Sequence, residues 1–325
     1  MTYRIIEGHT IDGLKTLEAE SVQSCVTSPP YWGLRDYGDS GQEWPEVSFC
    51  PVAGLPPITI PAQRAPLGLE PDPWAYVGHM VEVFRAVRRV LRVDGTMWLN
   101  LGDNYAANRC YQVPASKHKD VGNSMGRTVP SGLKEKDLCG IPWRVAYALQ
   151  ADGWYLRSEI IWHKLNPMPE SVTDRPTKGH EQVFLFSKGP KYYYDAEAVM
   201  EAASPGGRRF NGSPSYASGD RNDAGRKDNR DIDKRNLRTV WSMASKPYPG
   251  AHFAVFPPGL PERCIKAGTK IGDLVLDPFS GAGTTGVVAL RLQRQYIGTE
   301  QNKNYAEQSR RRIDMDAPLF NRARQ

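Results

Sequence analysis

Within Thr27-Ser28-Pro29-Pro30-Tyr31-Trp32, a hydroxyl, two prolines and an aromatic ring fall side by side. The prolines hold φ at about −65°, bias Ser28 and Pro29 toward extended geometry and remove two backbone N–H groups. What is left is a rigid lip of acceptors, the Ser28 hydroxyl and the Pro29 carbonyl, beside the face of Tyr31. Such a lip suits a planar group that carries an amine: the acceptors take its hydrogens while the ring stacks on it. A nucleic-acid base fits that description. The plainer reading of Ser-Pro-Pro-Tyr is a turn after a strand, or a polyproline ligand for another domain.

A second stretch, far down the chain, weighs against the plainer reading. Residues 273–285 begin as a buried-type strand, Asp273 to Asp277, and enter a glycine-bearing turn through Phe279, Ser280, Gly281, Gly283 and Thr284. A helix opens at Thr285 and runs to Leu292. Glycines let a ligand approach the backbone closely, and a helix N-terminus favours an anionic group such as a carboxylate. The strand Gln295 to Glu300 follows and ends on a carboxylate able to hold the two hydroxyls of a ribose. A glycine turn alone is a weak signal; strand, turn, helix, strand and acid in this order make it a specific one.

Together, Thr-Ser-Pro-Pro-Tyr and Asp-Pro-Phe-Ser-Gly-Ala-Gly-Thr-Thr resemble the catalytic and cofactor motifs of S-adenosylmethionine-dependent DNA amino-methyltransferases. The catalytic motif precedes the cofactor motif, which is the order of the permuted, β-type subgroup. Gly95 to Asp103, Ile160 to Ser171 and His252 to Pro257 match further, so the resemblance covers most of the chain outside its loops. It implies an α/β fold: a Rossmann-like seven-stranded methyltransferase sheet, circularly permuted, with irregular DNA-recognition insertions, in one methyltransferase domain over residues 1–325. It also implies S-adenosyl-L-methionine as cofactor, held by Asp277, Phe279, Ser280, Gly281, Gly283, Thr284, Thr285 and Glu300.

The same resemblance makes Ser28, Pro29, Pro30 and Tyr31 catalytic, and Trp32, Trp162, His163 and Asn166 the base pocket. For the three later residues, packing and turn formation are an equal alternative. Where the family often has an acid touching the cofactor's adenine, this chain has His9, with Asp12 a substitute; a surface histidine at a helix start is the plainer reading. The expected partner is double-stranded DNA, with the target base flipped out, and no metal or covalent intermediate is needed. Serine before Pro-Pro is the family form usual for cytosine N4, yet the longer run Thr27–Gly38 with Trp162–Ser171 looks like free-standing and phage-borne enzymes that include adenine methylators. The expectation leans narrowly to adenine N6 over cytosine N4. An RNA amino-methyltransferase and a catalytically silent DNA-binding protein are the rivals, and the subgroup suggests a homodimer.

Strands must carry these motifs to one edge. Tyr3–Glu7, Val22–Thr27, Thr96–Leu101, Tyr155–His163, Gln182–Ser187, Leu274–Asp277 and Tyr296–Glu300 read as the seven strands. Following the resemblance, Leu274–Asp277 lies centrally, with Tyr296–Glu300 and Tyr3–Glu7 on one side and Val22–Thr27, Thr96–Leu101 and the remaining two on the other. Turn and lip, about 250 residues apart, then meet at the switch point where open α/β sheets bind ligands. Residues 76–91 form an amphipathic helix with Met80, Val83, Phe84, Val87, Val90 and Leu91 on one face, and Arg85, Arg88 and Arg89 on a solvated face.

Three segments interrupt this scaffold: 33–72, read as a catalytic loop with an irregular insertion; 104–137, whose basic bias, with Lys117, Lys119 and Arg127, favours a DNA-contacting loop over a merely disordered one; and 196–250, with Arg208, Arg209, Arg235 and Arg238, where the resemblance puts the target-recognition region. From Pro205 to Lys246, ten Lys or Arg stand against five Asp, leaving +5 of the protein's +6. Such basic segments bind phosphates in a salt-dependent way. A net +6 and a pI of about 9.0 suit an anionic partner. Five cysteines without CxxC spacing indicate neither a zinc site nor a disulfide framework, and no apolar stretch reaches the ~20 residues of a membrane span. The expectation is a soluble cytoplasmic protein, bacterial or phage-encoded.

Overall fold

The computed structural model describes residues 2–34, 41–106, 132–202, 234–245, 256–316 and the backbone of 322–323. Lys117, Lys119, Arg127, Arg208, Arg209 and residues 252–255 of the His252 run lie outside the described residues, as does most of the 104–137 and 196–250 segments.

In chain order the elements are β1 (Thr2–Glu7), α1 (Thr10–Lys15), β2 (Val22–Thr27), β3 (Gln42–Trp44), β4 (Val47–Phe49), β5 (Ile58–Ile60), β6 (Gln63–Ala65), α2 (Pro73–Val90), β7 (Leu91–Leu101), α3 (Ile141–Ala151), β8 (Tyr155–Lys164) and β9 (His180–Ser187). There follow β10 (Glu201–Ala202), β11 (Lys234–Arg235), β12 (Val240–Met243), α4 (Gly259–Gly268), β13 (Leu274–Asp277), α5 (Thr284–Arg291), β14 (Gln295–Glu300), α6 (Lys303–Asp316) and β15 (Arg322–Ala323). One sheet runs β12-β8-β9-β7-β2-β13-β14-β1-β15. Its inner seven strands are those expected, the five from β7 to β1 in the expected order, and two short strands extend it at the edges. All neighbours pair parallel except those of β9, which runs antiparallel to both β7 and β8. β2 and β13 are adjacent, with Cys25 opposite Leu276. That register brings the ends of both motif-bearing strands together.

The sheet is covered on both faces, as a mainly parallel sheet requires. One core gathers Leu14, Tyr76, Met80, Phe84, Val145 and Leu149 from α1, α2 and α3. The other gathers Leu260, Ile265, Val287, Leu290 and Ile313 from α4, α5 and α6. α2 shows how local chemistry sets such an element. Asp72 caps it by accepting from the Trp74 and Ala75 N–H groups at 2.8 and 3.0 Å, and Pro73 occupies the first turn, where no amide donor is missed. Met80, Val83, Phe84, Val87 and Val90 are then buried at helical spacing. Each contributes about 1.5–3 kcal/mol from water exclusion.

Two expectations are corrected by the structure. The insertion is not irregular: β3 pairs with β6 and, nested inside, β4 with β5, both antiparallel. Trp44, Val47, Phe49 and Ile60 are buried in the first core, and Gly78 of α2 leaves room for the Phe49 and Ile60 side chains. Strands of three residues and interspersed prolines give no readable period, which is why this hairpin pair escapes a sequence pattern. Nor do Arg85 and Arg89 form a solvated face. Arg85 grips the Asp152 carboxylate with Nε and Nη2, and Arg89 donates to the Leu14 and Leu17 carbonyls that end α1. They bind α2 to its neighbours.

Candidate active site

β2 delivers Thr27 and the lip to the sheet's carboxyl edge, and β13 delivers Asp277 beside it. The Asp277 carboxylate is fully buried and accepts three hydrogen bonds: Thr27 Oγ1 at 2.6 Å, Thr285 Oγ1 at 2.8 Å and the Phe279 N–H at 3.0 Å. This one group joins the lip strand, the cofactor strand and the first turn of α5. Burial pushes its pKa up to about 6, against the lowering effect of those donors. The turn is fixed from outside as well, since Thr10 and Thr299 both donate to the Pro278 carbonyl.

Gly281 and Gly283 take positive φ of 51° and 72°, a left-handed conformation that favours glycine. A Cβ on Gly283 would collide with Ser309 Oγ, so the turn packs tightly on α6. Ser280 is buried and engages Tyr296 and Ser309, and Thr284 accepts from Arg312. Thr285 points at Asp277. These three side chains are spent on building the turn. Glu300 accepts from the Gly281 N–H at 2.8 Å and the Asn302 N–H at 2.9 Å, and burial raises its pKa. Glu300, at the end of β14, stands where an acid can hold the hydroxyls of a ribose, beside a glycine turn that opens the helix α5, and S-adenosyl-L-methionine carries both a ribose and a carboxylate. The donor set fits that cofactor. His9 precedes α1 and meets Trp44 edge-on at 5.4 Å, while Asp12 is exposed and paired with Lys15 at 3.0 Å. Asp12 is therefore turned to solvent rather than toward the turn.

In the lip, Ser28 Oγ lies 3.0 Å from Tyr31 Oη, and Tyr31 Oη donates to Glu181 Oε2 at 2.7 Å. Asn100 Nδ2 reaches the same oxygen at 3.0 Å, and Lys164 Nζ bonds to Glu181 Oε1. The Asn100 side-chain oxygen Oδ1 is buried with no partner among the described residues. Tyr76 Oη donates to the Pro30 carbonyl at 2.9 Å, leaving the Pro29 carbonyl and Ser28 Oγ as the lip's open acceptors among the described residues. Gly102, at the end of β7, lies flat against the Tyr31 ring; a Cβ there would be 2.5 Å from Cε2.

Behind the lip, the insertion's exit acts as a buttress. The Gly33 N–H donates to the Gly68 carbonyl at 2.8 Å, and Trp32 Nε1 donates to the Glu70 carbonyl at 3.0 Å. Glu70 is itself buried against His79 Nδ1 at 2.8 Å.

Glu181 and Asn100 are site residues that motif reading missed. Glu181 lies in the polar start of β9, His180-Glu181-Gln182, ahead of its apolar run, and the β7–β9 and β8–β9 pairings bring it to Tyr31, 150 positions away. Asp103, expected at this edge, caps α3 through the Gly140 and Ile141 N–H groups, both at 3.0 Å. Lys178 donates to the Asp103 carbonyl, and burial lowers its pKa.

All four expected base-pocket residues hold other partners in the structure. Trp32 is 2% exposed and Trp162 3%, so neither ring offers a face to a base. Trp162 donates to the Met243 carbonyl at 3.1 Å, and Asn166 exchanges hydrogen bonds with Ser245. His163 is exposed, 3.0 Å from Ser242 Oγ. All three residues of β8 and its following turn serve the edge strand β12. Arg235 and Arg238 both pair with Glu201, at 3.1 and 2.5 Å.

A glycine turn with buried carboxyls, set beside a Ser-Pro-Pro-Tyr lip, defines an amino-methyltransferase that uses S-adenosyl-L-methionine. A family model described as DNA methylase (N6_N4_Mtase) matches residues 22–311, and the chain belongs to that family: it is an S-adenosylmethionine-dependent DNA amino-methyltransferase. The Type II methyltransferase M.SmaI of Serratia marcescens is 43% identical over 311 residues, spanning 95% of this chain and 90% of its own. The Type II methyltransferase M.Cfr9I of Citrobacter freundii is 44% identical over 304 residues, spanning 93% and 85%. Among solved structures, the cytosine-N4-specific PvuII DNA methyltransferase superposes with a TM-score of 0.60 at 19% identity, over 96% of this chain and 88% of that one. The putative DNA modification methylase TTHA0409 of Thermus thermophilus, solved with S-adenosyl-L-methionine, superposes with a TM-score of 0.58 at 20% identity, over 99% and 97%. Among the described residues, no helix is long and apolar enough to cross a membrane.

Proposed function

We propose that the enzyme methylates N4 of a cytosine flipped out of duplex DNA, at a specific sequence, as the modification partner of a restriction nuclease. The observation that carries the chemistry is the direction of one hydrogen-bond chain. Tyr31 has a single hydroxyl proton, and Glu181 takes it. Ser28 therefore donates to Tyr31, and its oxygen turns only lone pairs toward the lip. Ser28 Oγ and the Pro29 carbonyl are thus two fixed acceptors for the two hydrogens of an exocyclic amine. Held so, the amine nitrogen's lone pair is drawn out of conjugation, and the positive charge that develops on nitrogen is stabilised without reorganisation. Glu181 acts through Tyr31 as a positioning residue, and Tyr31 offers its ring to the base.

When bound, S-adenosyl-L-methionine supplies the electrophilic methyl group. Asp277, Glu300 and the Phe279–Gly283 backbone are the residues that would hold it. His9 is the candidate adenine contact, in preference to Asp12. Arg235 and Arg238, with the basic segment before them, are the candidate phosphate contacts.

Cytosine is favoured over adenine because serine before Pro-Pro is the family form usual for cytosine N4. The PvuII enzyme, similar in fold, is cytosine-N4-specific and supports the same base. These considerations outweigh the lean to adenine drawn from the longer motif runs. The test is to incubate the protein with unmethylated genomic DNA and methyl-labelled S-adenosyl-L-methionine, digest to nucleosides and identify the labelled one by mass spectrometry. N4-methylcytosine is expected. N6-methyladenine would reverse the base and keep the amine chemistry, and no labelled deoxynucleoside would overturn the reading.

A further inference from the structure

The turn after β8 reads Leu165-Asn166-Pro167-Met168-Pro169-Glu170. Met168 is 83% exposed, the most exposed large apolar side chain among the described residues, and Leu165 is 60% exposed. A single apolar residue on a surface is ordinary. This one is presented differently. Proline on either side restricts the backbone, so the tip has little freedom to lose on insertion. Both ends of the turn are pinned. On one side Asn166 Nδ2 donates to the Ser245 carbonyl at 2.9 Å, and the Ser245 N–H and Oγ donate back at 2.8 and 3.0 Å. On the other, Glu170 pairs with Arg175, whose guanidinium lies over the Tyr105 ring at 3.7 Å.

The position is as specific as the rigidity. The turn leaves the sheet at Lys164, which holds Glu181 and through it Tyr31, and the chain returns through Lys178, which donates to the Asp103 carbonyl. A stiff apolar tip thus projects from the sheet edge that carries Glu181 and Tyr31, four residues beyond Lys164. We propose that Met168 is the wedge that enters the DNA base stack as the target base leaves it, occupying the space between the neighbouring pairs. Unstacking a base is costly, and apolar side chains such as Met, Leu and Pro are the type that fill such a gap. The proposal rests on the reading that a base is flipped from a duplex into the Ser28–Tyr31 lip.

The experiment compares Met168→Ala with the unaltered enzyme on two duplexes carrying the methylated site mapped in genomic DNA. In one the target base is correctly paired; in the other it faces a mismatch, where flipping costs least. The readout is the ratio of kcat/KM between variant and unaltered enzyme on each duplex, so that any effect of the mismatch on recognition cancels. The ratio is expected to fall about 10- to 100-fold on the paired duplex and to stay within about threefold on the mismatched one. Met168→Leu, which keeps an apolar tip, restores the paired-duplex rate. Equal losses on both duplexes, or no loss on either, overturn the wedge. Equal losses accompanied by dissociation of a dimer in sedimentation would make the tip a contact between copies instead. Failure of the unaltered enzyme to methylate either duplex would overturn the base-flipping reading itself, and the wedge with it.

Discussion

Gly102→Ala tests how tightly the lip is built. Gly102 does not occupy the left-handed region, so alanine brings no backbone strain of its own. Its Cβ, however, would stand 2.5 Å from Tyr31 Cε2 and 2.7 Å from Cδ2. Carbon atoms in contact rest about 3.5 Å apart, so the ring must withdraw by about 1 Å. Tyr31 Oη now sits 3.0 Å from Ser28 Oγ and 2.7 Å from Glu181 Oε2. A displacement of about 1 Å carries both past useful hydrogen-bond length. Ser28 then loses the partner that turns its lone pairs outward, and the stacking face moves off the base. Hydrogen bonds involving a charged group are worth about 1.5–3 kcal/mol, which at about 1.4 kcal/mol per factor of ten gives a loss of about 10- to 100-fold in kcat.

The assay is single-turnover transfer of labelled methyl to duplex DNA. S-adenosyl-L-methionine affinity, from titration calorimetry, and the thermal midpoint serve as controls. Both should hold, because β2 separates β7 from the cofactor strand β13. A single-turnover rate within about threefold of the unaltered enzyme, with the midpoint unchanged, would refute the claim that Tyr31 must stand where Gly102 allows it.

The remaining expectations follow from the same contacts. Glu181→Gln and Tyr31→Phe each lower kcat by about tenfold, and the double variant falls no further than the worse single one, because both cut one chain; additive losses in the cycle would separate the two residues. Asp277 has a folded-state pKa of about 6 against an ordinary value of 3.8. It therefore stabilises the fold fully below about pH 4, and that contribution is lost as pH rises through about 6. Asp277→Asn removes it, so the urea midpoint of the cofactor-free protein falls less between pH 4 and pH 6 than in the unaltered protein; an identical slope would contradict the burial argument. With a net charge of +6, KM for DNA rises steeply with salt while KM for S-adenosyl-L-methionine barely moves, and a salt-independent DNA KM would argue against phosphate contacts by the basic segment.

What the chain's order of residues determined by itself is local chemistry and its carriers. Pro29 and Pro30 impose their geometry wherever they sit, Gly281 and Gly283 permit the turn, and apolar runs around 22–27 and 274–277 can only be buried strands. Motif order, with its family resemblance, then placed the central strands correctly. The side chains that complete the site are another matter. Glu181 is one of three polar residues, His180 to Gln182, that begin β9, and nothing nearby in the chain distinguishes it from the other two. The antiparallel register of β9 against β7 and β8 makes it Tyr31's acceptor.

Burial is decided in the same way. Trp32 and Trp162 stand beside functional motifs and read as pocket walls, but packing against Glu70 and the edge strand β12 takes both rings out of reach. Asp12 lies inside α1, and helix phase turns it to Lys15 and solvent. Residues 42–65 show no period at all, and their nested hairpins form because α2 offers an apolar face with a gap at Gly78. Propensity and spacing act over a few residues, whereas strand register and the competition for buried volume are settled between segments far apart in the chain. Only the assembled sheet resolves which polar group meets which.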